Sequence, residues 1–402
     1  MKTKCFLFIA CFLLTKVTCG ESIQRFGVKP SNSPEENRLN LQKAIDSMTI
    51  CGGSLFVDPT DTPYRIAGGI ILRRNVSLIG ANAATPRGTC HPLKPQPVGS
   101  VFEITDKENV FITVESATQI SGIQFWYSEQ STKDPSKIIE YPATIRLSYD
   151  YPSEGVTLNN LTFYGEYLAM DFAAPKGKAC ELITVEHCFG YSLGGTFIRI
   201  DYCYDIPRIL HCHVNPSVNR LFAGGFSPEI INEVISKKTF AYFIDHTDNA
   251  QLIDIFTFGT YGGIYLGAET YGQLTNFNLD CVTIGIHKSG NNATNRNWQI
   301  AQGAIIANTG EAVQNIHPFL IEGKGHTAIS NVEAFSGHNG ALTTLGVSYD
   351  FMKITGNDKC TVSLMGCRMR NYIADEPFTI ENKNANIQAV ACIDKNENVF
   401  TR

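Results

Sequence analysis

Three aspartates follow short apolar runs at similar places in the sequence. They are Asp171, Asp201 and Asp245, in the segments YLAMDFAA, FIRIDYCY and AYFIDHTD. The residue before each aspartate is apolar, and because successive strand residues point to opposite faces, each aspartate is expected to face outward from the core. If the three strands are neighbours, the sequence predicts one outward column of carboxylates.

Such a column has the residue types and spacing for acid–base chemistry on a sugar. Strands in a sheet lie ~4.8 Å apart, so adjacent carboxyl groups would be near the ~5 Å of retaining glycosidases. The outer two would be nearer the ~6.5–9.5 Å of inverting ones. Close like charges raise the pKa of at least one carboxyl group, which then stays protonated beside an ionised base. We therefore predict catalytic roles for Asp171, Asp201 and Asp245, the alternative being that they cap turns at strand ends.

Polar and aromatic residues near these aspartates are candidates for substrate binding. Arg199 precedes Asp201 by two positions and His246 follows Asp245. An arginine could bind a uronate or hold an aspartate ionised, and a histidine could relay a proton. Tyrosine rings at nearby register offer faces to sugars. The predicted binding residues are Arg199, His246, Tyr202 and Tyr265, with Tyr204 and Tyr242 as further ring candidates.

A short pattern recurs along the chain: two apolar positions, a polar or glycine corner, and two more apolar positions. The corners are Asn160, His187, His211, Asp254, Asn276, Asn331 and Gly366. The step from His187 to His211 is 24 residues and that from Asp254 to Asn276 is 22, whereas the 43 residues from His211 to Asp254 are interpreted as about two steps. This is the length of one coil of a parallel β-helix, in which each coil pairs with those above and below it.

The corner position favours residues that tolerate positive φ, as Asn, Asp, His and Gly do. His187 and His211 are therefore interpreted as stacked corner residues, and no metal ligand is predicted among them. CxxC pairs are absent, which argues against structural zinc. No cofactor is predicted, although Ca²⁺ could be held by the aspartate column if the protein were a lyase.

Two helices interrupt the strand pattern. Ser33 as N-cap, Pro34 at the first helical position and Glu36 form a capping box. A second helix is predicted as an insertion at about 227–238, in SPEIINEVISKK. The predicted organisation is a leader, residues 1–20, followed by a single parallel β-helix domain over residues 21–402.

The N-terminus has the pattern of a secretory signal peptide. Lys2 and Lys4 precede a short apolar run that ends in small residues near Gly20. We expect a secreted or periplasmic protein with no membrane span. A lipid anchor on Cys19 is the alternative, against which Lys16 stands where an aliphatic residue is expected. The net charge of −5 argues against nucleic acid as a partner.

The opening of the mature chain resembles proteins of the pectate-lyase superfamily, also called glycoside hydrolase family 28-related. The matching pieces are FGV, LQKAID, GGSLFVD and NVSLIGAN, whereas the family's GDG-x-x-DDT is replaced by KPSNSPEEN. The resemblance implies a right-handed parallel β-helix with an N-terminal helix over one end of the core and a carbohydrate groove on one sheet. The N-T-D, D-D and G-H-G signatures of the related polygalacturonases are not found, so no catalytic residue is carried over from them.

The sequence thus predicts an all-β solenoid that acts on carbohydrate. The leading hypothesis is a secreted glycoside hydrolase that cleaves a pectin-like or other uronate-containing polysaccharide. A polysaccharide lyase and a non-catalytic glycan-binding or adhesin β-helix are the alternatives, since fold alone does not determine function. The oligomeric state stays open.

Overall fold

The structure is a computed structural model that describes residues 20–82, 95–150, 153–267, 269–290, 297–307, 312–335 and 347–402. The predicted signal peptide, with Cys19, lies outside the described residues except for Gly20. Across those ranges, no helix combines the length and the apolar character needed to cross a membrane.

The described residues contain many short strands and three α-helices, joined by turns and loops. The strands in the first half are β1 Gly20–Ser22, β2 Gly53–Phe56, β3 Tyr64–Ile66, β4 Ile70–Leu72, β5 Val76–Ile79, β6 Val101–Ile104, β7 Ile112–Val114, β8 Gln119–Ser121, β9 Gln124–Trp126, β10 Ile145–Leu147, β11 Ser153–Glu154, β12 Thr157–Tyr164, β13 Met170–Ala173, β14 Cys180–Glu181, β15 Thr184–Gly190, β16 Ile198–Asp201 and β17 Cys203–Tyr204. Those in the second half are β18 Arg208–Leu210, β19 His213–Val214, β20 Phe240–Ile244, β21 Ala250–Ile253, β22 Phe256–Phe258, β23 Gly262–Leu266, β24 Gly272–Val282, β25 Ile284–Lys288, β26 Trp298–Ala307, β27 His317–Ile321, β28 Gly325–Phe335, β29 Met352–Ile354, β30 Cys360–Met365, β31 Arg368–Met369, β32 Phe378–Ile380, β33 Ala385–Val390, β34 Cys392–Ile393 and β35 Val399–Phe400. The α-helices are α1 Pro34–Met48, α2 Arg220–Ala223 and α3 Pro228–Ser236, and short 3₁₀ helices span Ile23–Phe26, Pro135–Lys137 and Val313–Asn315.

The strands wind into a parallel β-helix, which confirms the predicted fold class. An 11-stranded sheet runs in the order β4, β7, β10, β13, β16, β20, β23, β25, β27, β29, β32, and each neighbouring pair in it is parallel. The other long strands, among them β12, β15, β24, β26, β28 and β30, pair into a 21-stranded sheet. A small third sheet contains β11, β14 and β17.

One inward column shows how the sequence holds the coils in register. A single apolar side chain from every strand of the 11-stranded sheet stacks on the next: Ile70, Ile112, Ile145, Met170, Ile198, Tyr242, Ile264, Ile286, Phe319, Met352 and Phe378. All of these side chains are buried. Full burial of each such side chain contributes roughly 1.5–3 kcal/mol, so the column fixes which residues of neighbouring coils face each other.

The predicted corners are confirmed by the backbone. All seven residues, Asn160, His187, His211, Asp254, Asn276, Asn331 and Gly366, have φ between 49° and 62°. Each lies between the two apolar halves of its pattern, where the chain bends in the left-handed conformation that Asn, Asp, His and Gly tolerate best.

The spacing of one coil was wrongly predicted. Leu210 pairs directly with Ile253, and the His211 N–H donates to the Ile253 carbonyl at 2.9 Å, so His211 and Asp254 lie on adjacent coils. The 43-residue interval is one coil rather than two, because α2 and α3 are inserted within it. Helix α3 lies within the segment 227–238 where a helix was predicted, and its N-cap hydroxyl, Ser227 Oγ, accepts from the Ile230 N–H at 3.5 Å.

The capping helix α1 covers the N-terminal end of the coil. Ser33 Oγ accepts from the Glu36 N–H at 3.2 Å, as the capping box predicts. Leu41 and Ile45 are fully buried. The Gln42 amide accepts from the Ile71 N–H at 2.8 Å and donates to the Ile71 carbonyl at 3.1 Å, which attaches α1 to the edge of β4.

Candidate active site

Two of the three predicted aspartates form a column on the outer face of the 11-stranded sheet. Ile200 of β16 pairs with Ile244 of β20, so the residues that follow them, Asp201 and Asp245, are vertical neighbours. The Asp245 N–H donates to the Ile200 carbonyl at 2.9 Å. Because Ile200 and Ile244 are buried, strand alternation turns both carboxylates outward, as predicted.

The prediction that Asp171 shares this column is wrong by two positions. Asp171 pairs with Arg199, and Asp201 is instead aligned with Ala173. Asp171 is still on the outer face, since a shift of two residues along a strand keeps the face and changes only the column. The structure therefore places Asp171 beside Arg199 and leaves Asp201 and Asp245 as the stacked pair.

His246 joins the two stacked carboxylates. Its Nδ1 lies 2.9 Å from Asp201 Oδ1 and 3.4 Å from Asp245 Oδ1, and its backbone N–H donates to Asp245 Oδ1 at 3.0 Å. His246 has a φ of 36°, and its ring contacts Asp201 on the preceding coil. The side chains of Asp201, Asp245 and His246 are 16, 18 and 25% exposed, so the cluster is accessible from solvent and still partly shielded.

A small cavity lies beside the cluster at the C-terminal ends of the strands. Its volume is about 440 Å³, and Tyr202, His246, Tyr204 and Glu269 are among its lining residues. The rings of Tyr202 and His246 are stacked, with centroids 4.3 Å apart and an angle of 9° between their planes. The two predicted binding residues therefore form one aromatic wall next to the carboxylates.

A larger cavity lies at the other ends of the same strands. It has a volume of about 720 Å³, and its lining includes Arg199, Lys238, Phe243, Tyr265 and Glu140. The rings of Phe243 and Tyr265 stack at 4.6 Å with a 10° angle, and the Arg199 guanidinium lies 5.8 Å from the centre of the Phe243 ring. This cavity combines two cations with a broad aromatic surface.

The wall of the larger cavity comes from two segments that pack together outside the sheet. The Ser227 N–H donates to the Thr132 carbonyl at 2.9 Å, and Lys133 Nζ donates to the Gly225 carbonyl at 3.1 Å. Residues 140–143, which follow the first segment, and residues 238–240, which follow the second, line the cavity. The α2–α3 insertion therefore shapes the cavity without supplying the stacked aspartates.

The electrostatic environment separates Asp171 from the other acids. Burial raises the pKa of Asp171, while the positive charges of Arg199 and Arg146 act in the opposite direction. The negative charge of Asp201 contributes least to this rise. The sequence argument attributed a raised pKa to repulsion between carboxylates, whereas the larger physical cause at Asp171 is desolvation.

The structure divides the predicted binding residues between the two cavities. Arg199 and Tyr265 line the larger one, and Tyr202 and His246 line the smaller one. Tyr242 is instead fully buried in the inward column, and its hydroxyl donates to main-chain carbonyls in the core. Because strand residues alternate, the register of β20 identifies Phe243, not Tyr242, as the outward ring.

Sequence reasoning also missed two cavity residues supplied by loops, Lys238 and Glu269, and Phe240 at the start of β20. Lys238 and Phe240 line the larger cavity, and Glu269 lines the smaller one. Lys238 and Glu269 have positive φ, which the coil pattern did not predict outside its corners. Lys238 follows α3, so its place in the larger cavity could be predicted only if the path of the chain through the α2–α3 insertion were known.

The acid cluster also has the composition of a cation site. One oxygen from each of Asp201 and Asp245 and a ring nitrogen of His246 lie within 4.8 Å of one another. Ca²⁺ prefers six to eight oxygen ligands. A set with two carboxylates and an imidazole does not fit Ca²⁺ well.

Comparison with solved structures confirms the resemblance at the level of the fold. A DFA-IIIase from Arthrobacter chlorophenolicus A6, solved in complex with DFA-III, is similar over 94% of this chain and 92% of its own, with a TM-score of 0.53 and 8% identity. An exopolygalacturonase from Thermotoga maritima matches over 95% and 92% of the two chains, with a TM-score of 0.46 and 10% identity.

The tailspike protein of Acinetobacter phage vB_ApiP_P1 is similar over 96% of this chain, with a TM-score of 0.47 and 10% identity. The chain spans 64% of the length of that tailspike. No protein-family model and no curated protein matches the sequence.

Proposed function

We propose that the protein hydrolyses glycosidic bonds in an acidic polysaccharide, with Asp201 and Asp245 as the reacting carboxyl groups. The observation that supports this most directly is the stacking of these two residues on adjacent coils, with one oxygen of each within 4.8 Å of the other and of a His246 nitrogen. A separation near ~5 Å is the spacing at which one carboxylate attacks the anomeric carbon while the other transfers the proton.

His246 distinguishes the two acids. With its proton on Nδ1, His246 donates to Asp201 Oδ1 at 2.9 Å, whereas Asp245 Oδ1 lies farther from that nitrogen, at 3.4 Å, so the ring holds the Asp201 carboxylate in one orientation. Asp201 is therefore the nucleophile in the proposal, and Asp245 is the general acid and base. Asp245 gives its proton to the glycosidic oxygen as the bond to the anomeric carbon breaks and Asp201 bonds to that carbon. Asp245 then takes a proton from the water that releases the sugar from Asp201.

The two cavities provide binding sites on either side of the acids. Along β16, Asp201 lies two residues after Arg199 and one residue before Tyr202, so the carboxylate is between the larger and the smaller cavity. A chain of sugars bound across both cavities would pass over Asp201. The stacked Phe243 and Tyr265 rings match the apolar faces of sugar rings.

The cations of the larger cavity select the class of substrate. Arg199 is exposed on the sheet, and Lys238 enters from the insertion. An arginine fork binds a carboxylate through two hydrogen bonds. This supports a uronate-containing, pectin-like glycan over a neutral one, although Glu140 in the same lining limits how much negative charge the cavity accepts.

The test is a screen of acidic and neutral polysaccharides for new reducing ends, with wild type, Asp201→Asn and Asp245→Asn. Wild type should release reducing ends from an acidic glycan, and each variant should lose roughly 10²–10⁴-fold in rate. Asp254→Asn is the matched control, because Asp254 is an outward aspartate of the other sheet. Cleavage that survives in both site variants would contradict the proposal.

A lyase on the same face is the second candidate, favoured by Arg199 beside the acids. In that reaction a base removes the proton α to the uronate carboxyl group, and the product carries a double bond with ultraviolet absorbance. If cleavage produces that absorbance, the protein is a lyase and the proposed hydrolysis is wrong. If the protein binds acidic glycans and cleaves none of them, the glycan-binding alternative replaces both.

A further inference from the structure

A second polar cluster lies at the corner of the coil, on strands of the 21-stranded sheet. His187 of β15 and His211, which follows β18, stack on adjacent coils with ring centroids 4.8 Å apart and a 21° angle between the rings. A carboxylate oxygen of Glu186 and one ring nitrogen of each histidine lie within 4.8 Å of one another. The cluster belongs to a different sheet from Asp201 and Asp245, and the proposed hydrolysis does not use it.

From this geometry, we propose that Glu186, His187 and His211 form a binding site for a divalent transition-metal ion, with Zn²⁺ as the best match. Zn²⁺ accepts imidazole nitrogen and carboxylate oxygen in sets of three protein ligands and one water molecule. Imidazole disfavours Ca²⁺ and Mg²⁺, which take oxygen ligands.

A hydrogen bond already orients the His211 ring for this role. Nδ1 of His211 lies 2.8 Å from Asp254 Oδ2. A carboxylate at that position accepts the Nδ1–H, so the lone pair of a neutral ring is on Nε2, the arrangement that metal-binding histidines generally show. Asp254 is held in turn by Asn276 Nδ2, which donates to Asp254 Oδ1 at 3.2 Å. Asp254 is thus a positioning residue.

The third ligand is also held in place. Glu186 Oε1 lies 3.5 Å from His187 Nδ1, and Asn159 Nδ2 donates to Glu186 Oε2 at 3.3 Å. The His187 side chain is 49% exposed and that of His211 is 39% exposed, so an ion can reach both rings from solvent. Bound there, the ion would add a link between two successive coils that main-chain pairing and buried side chains already join.

The corner conformation supplies well-matched variants. Asn160 and Asn276 occupy equivalent corners at the same positive φ, so asparagine in place of His187 or His211 keeps the backbone while removing the imidazole. Both His187→Asn and His211→Asn should fold normally. Their folding can be checked by thermal unfolding in the presence of a chelator.

The experiment is isothermal titration of the metal-free full-length protein with ZnCl₂. Wild type should bind one Zn²⁺ at this site, His187→Asn and His211→Asn should each weaken binding at least tenfold, and Asp254→Asn should weaken it by roughly 10–100-fold. Asp201→Asn reports on the other cluster and should leave this binding unchanged. Zn²⁺ should also raise the unfolding temperature of wild type and not that of the double variant His187→Asn/His211→Asn.

The site would be overturned if wild type bound no Zn²⁺, or if wild type and the double histidine variant bound it with equal affinity. Loss of binding in Asp201→Asn alone would assign the ion to the acid cluster and equally reject the proposal. Neither readout depends on glycan cleavage, so failure of the proposed function leaves this test intact.

Discussion

The Asp245 carboxylate occupies the space over Gly267 on the next coil, where a Cβ on residue 267 would lie 2.3 Å from Asp245 Oδ1. The φ of Gly267 is not in the left-handed region, so alanine there would suffer no backbone strain. The glycine is therefore required for the position of Asp245 rather than for the turn.

Gly267→Ala should displace the Asp245 carboxylate and lower kcat/KM at least tenfold, because misplacement of a reacting group by about 1 Å is enough for losses of that order. The unfolding temperature should change little. Gly290→Ala is a suitable control: it follows β25 of the same sheet, and its new Cβ approaches no neighbour closer than 3.3 Å. Equal activity of the Gly267→Ala variant and wild type would show that the exact place of Asp245 does not matter.

The stereochemistry of the product should be retained. The close pair, Asp201 and Asp245, has the short separation of a double displacement, whereas Asp171 lies in the neighbouring column. Proton NMR of the first product, recorded before mutarotation, reports the anomeric configuration directly. Inversion would instead indicate a wider pair and transfer one of the roles to Asp171.

Arg199→Gln should raise KM for an acidic oligosaccharide by roughly 10–100-fold, since a charge-assisted hydrogen bond contributes about 1.5–3 kcal/mol. Arg199→Lys should be intermediate, because it keeps the charge and loses the fork. The matched substrate is the same oligosaccharide with its carboxyl groups reduced to alcohols, for which wild type and both variants should be similar. If KM rose equally for both substrates, Arg199 would not be the residue that recognises the uronate.

Glu166 should make the protein less stable as pH rises. Its side chain is fully buried, and burial raises its pKa from 4.5 to about 8. Between these values the unfolded chain releases the proton and the folded chain keeps it, so the free energy of unfolding falls by up to about 1.4 kcal/mol per pH unit. Below pH 4.5 this contribution is fully present.

Glu166→Gln should remove that dependence, because the neutral amide can still accept the hydrogen bond that Ser192 Oγ donates to Oε1 at 3.0 Å. Urea unfolding of wild type and variant from pH 4.5 to 8.5 measures the difference, with Glu154→Gln as an exposed control. If wild type and the Gln variant lose stability in parallel over this range, Glu166 is not the buried acid responsible.

The coil and its corners could be read from the sequence because both depend on local chemistry. Alternation of apolar residues determines which side chains face inward, and positive φ selects Asn, Asp, His or Gly, as at Asn160 and His211. These preferences act at every coil. A single sequence therefore repeats them often enough to be recognised.

The column position of Asp171 could not be predicted in the same way. Moving a strand by two residues keeps every apolar side chain inward, so the pattern fits equally well when Met170 is aligned with Ile200 or, as in the structure, with Ile198. Close packing along the inward column decides between these registers, and that packing is a property of neighbouring coils. Lys238 was missed for a related reason, because the inserted coil determines its position.

Asp201 and Asp245 are 44 residues apart in the chain and yet adjacent in space, and nearly all of the intervening α2–α3 insertion lies outside the stacked strands. Exchange of that segment with a longer or differently charged one would rebuild the wall of the larger cavity while the two carboxylates of the proposed site stayed in register. In the proposed function, the stacked strands would hold the acids and the insertion would select the glycan, so grafting of this one segment should change specificity without moving the acids.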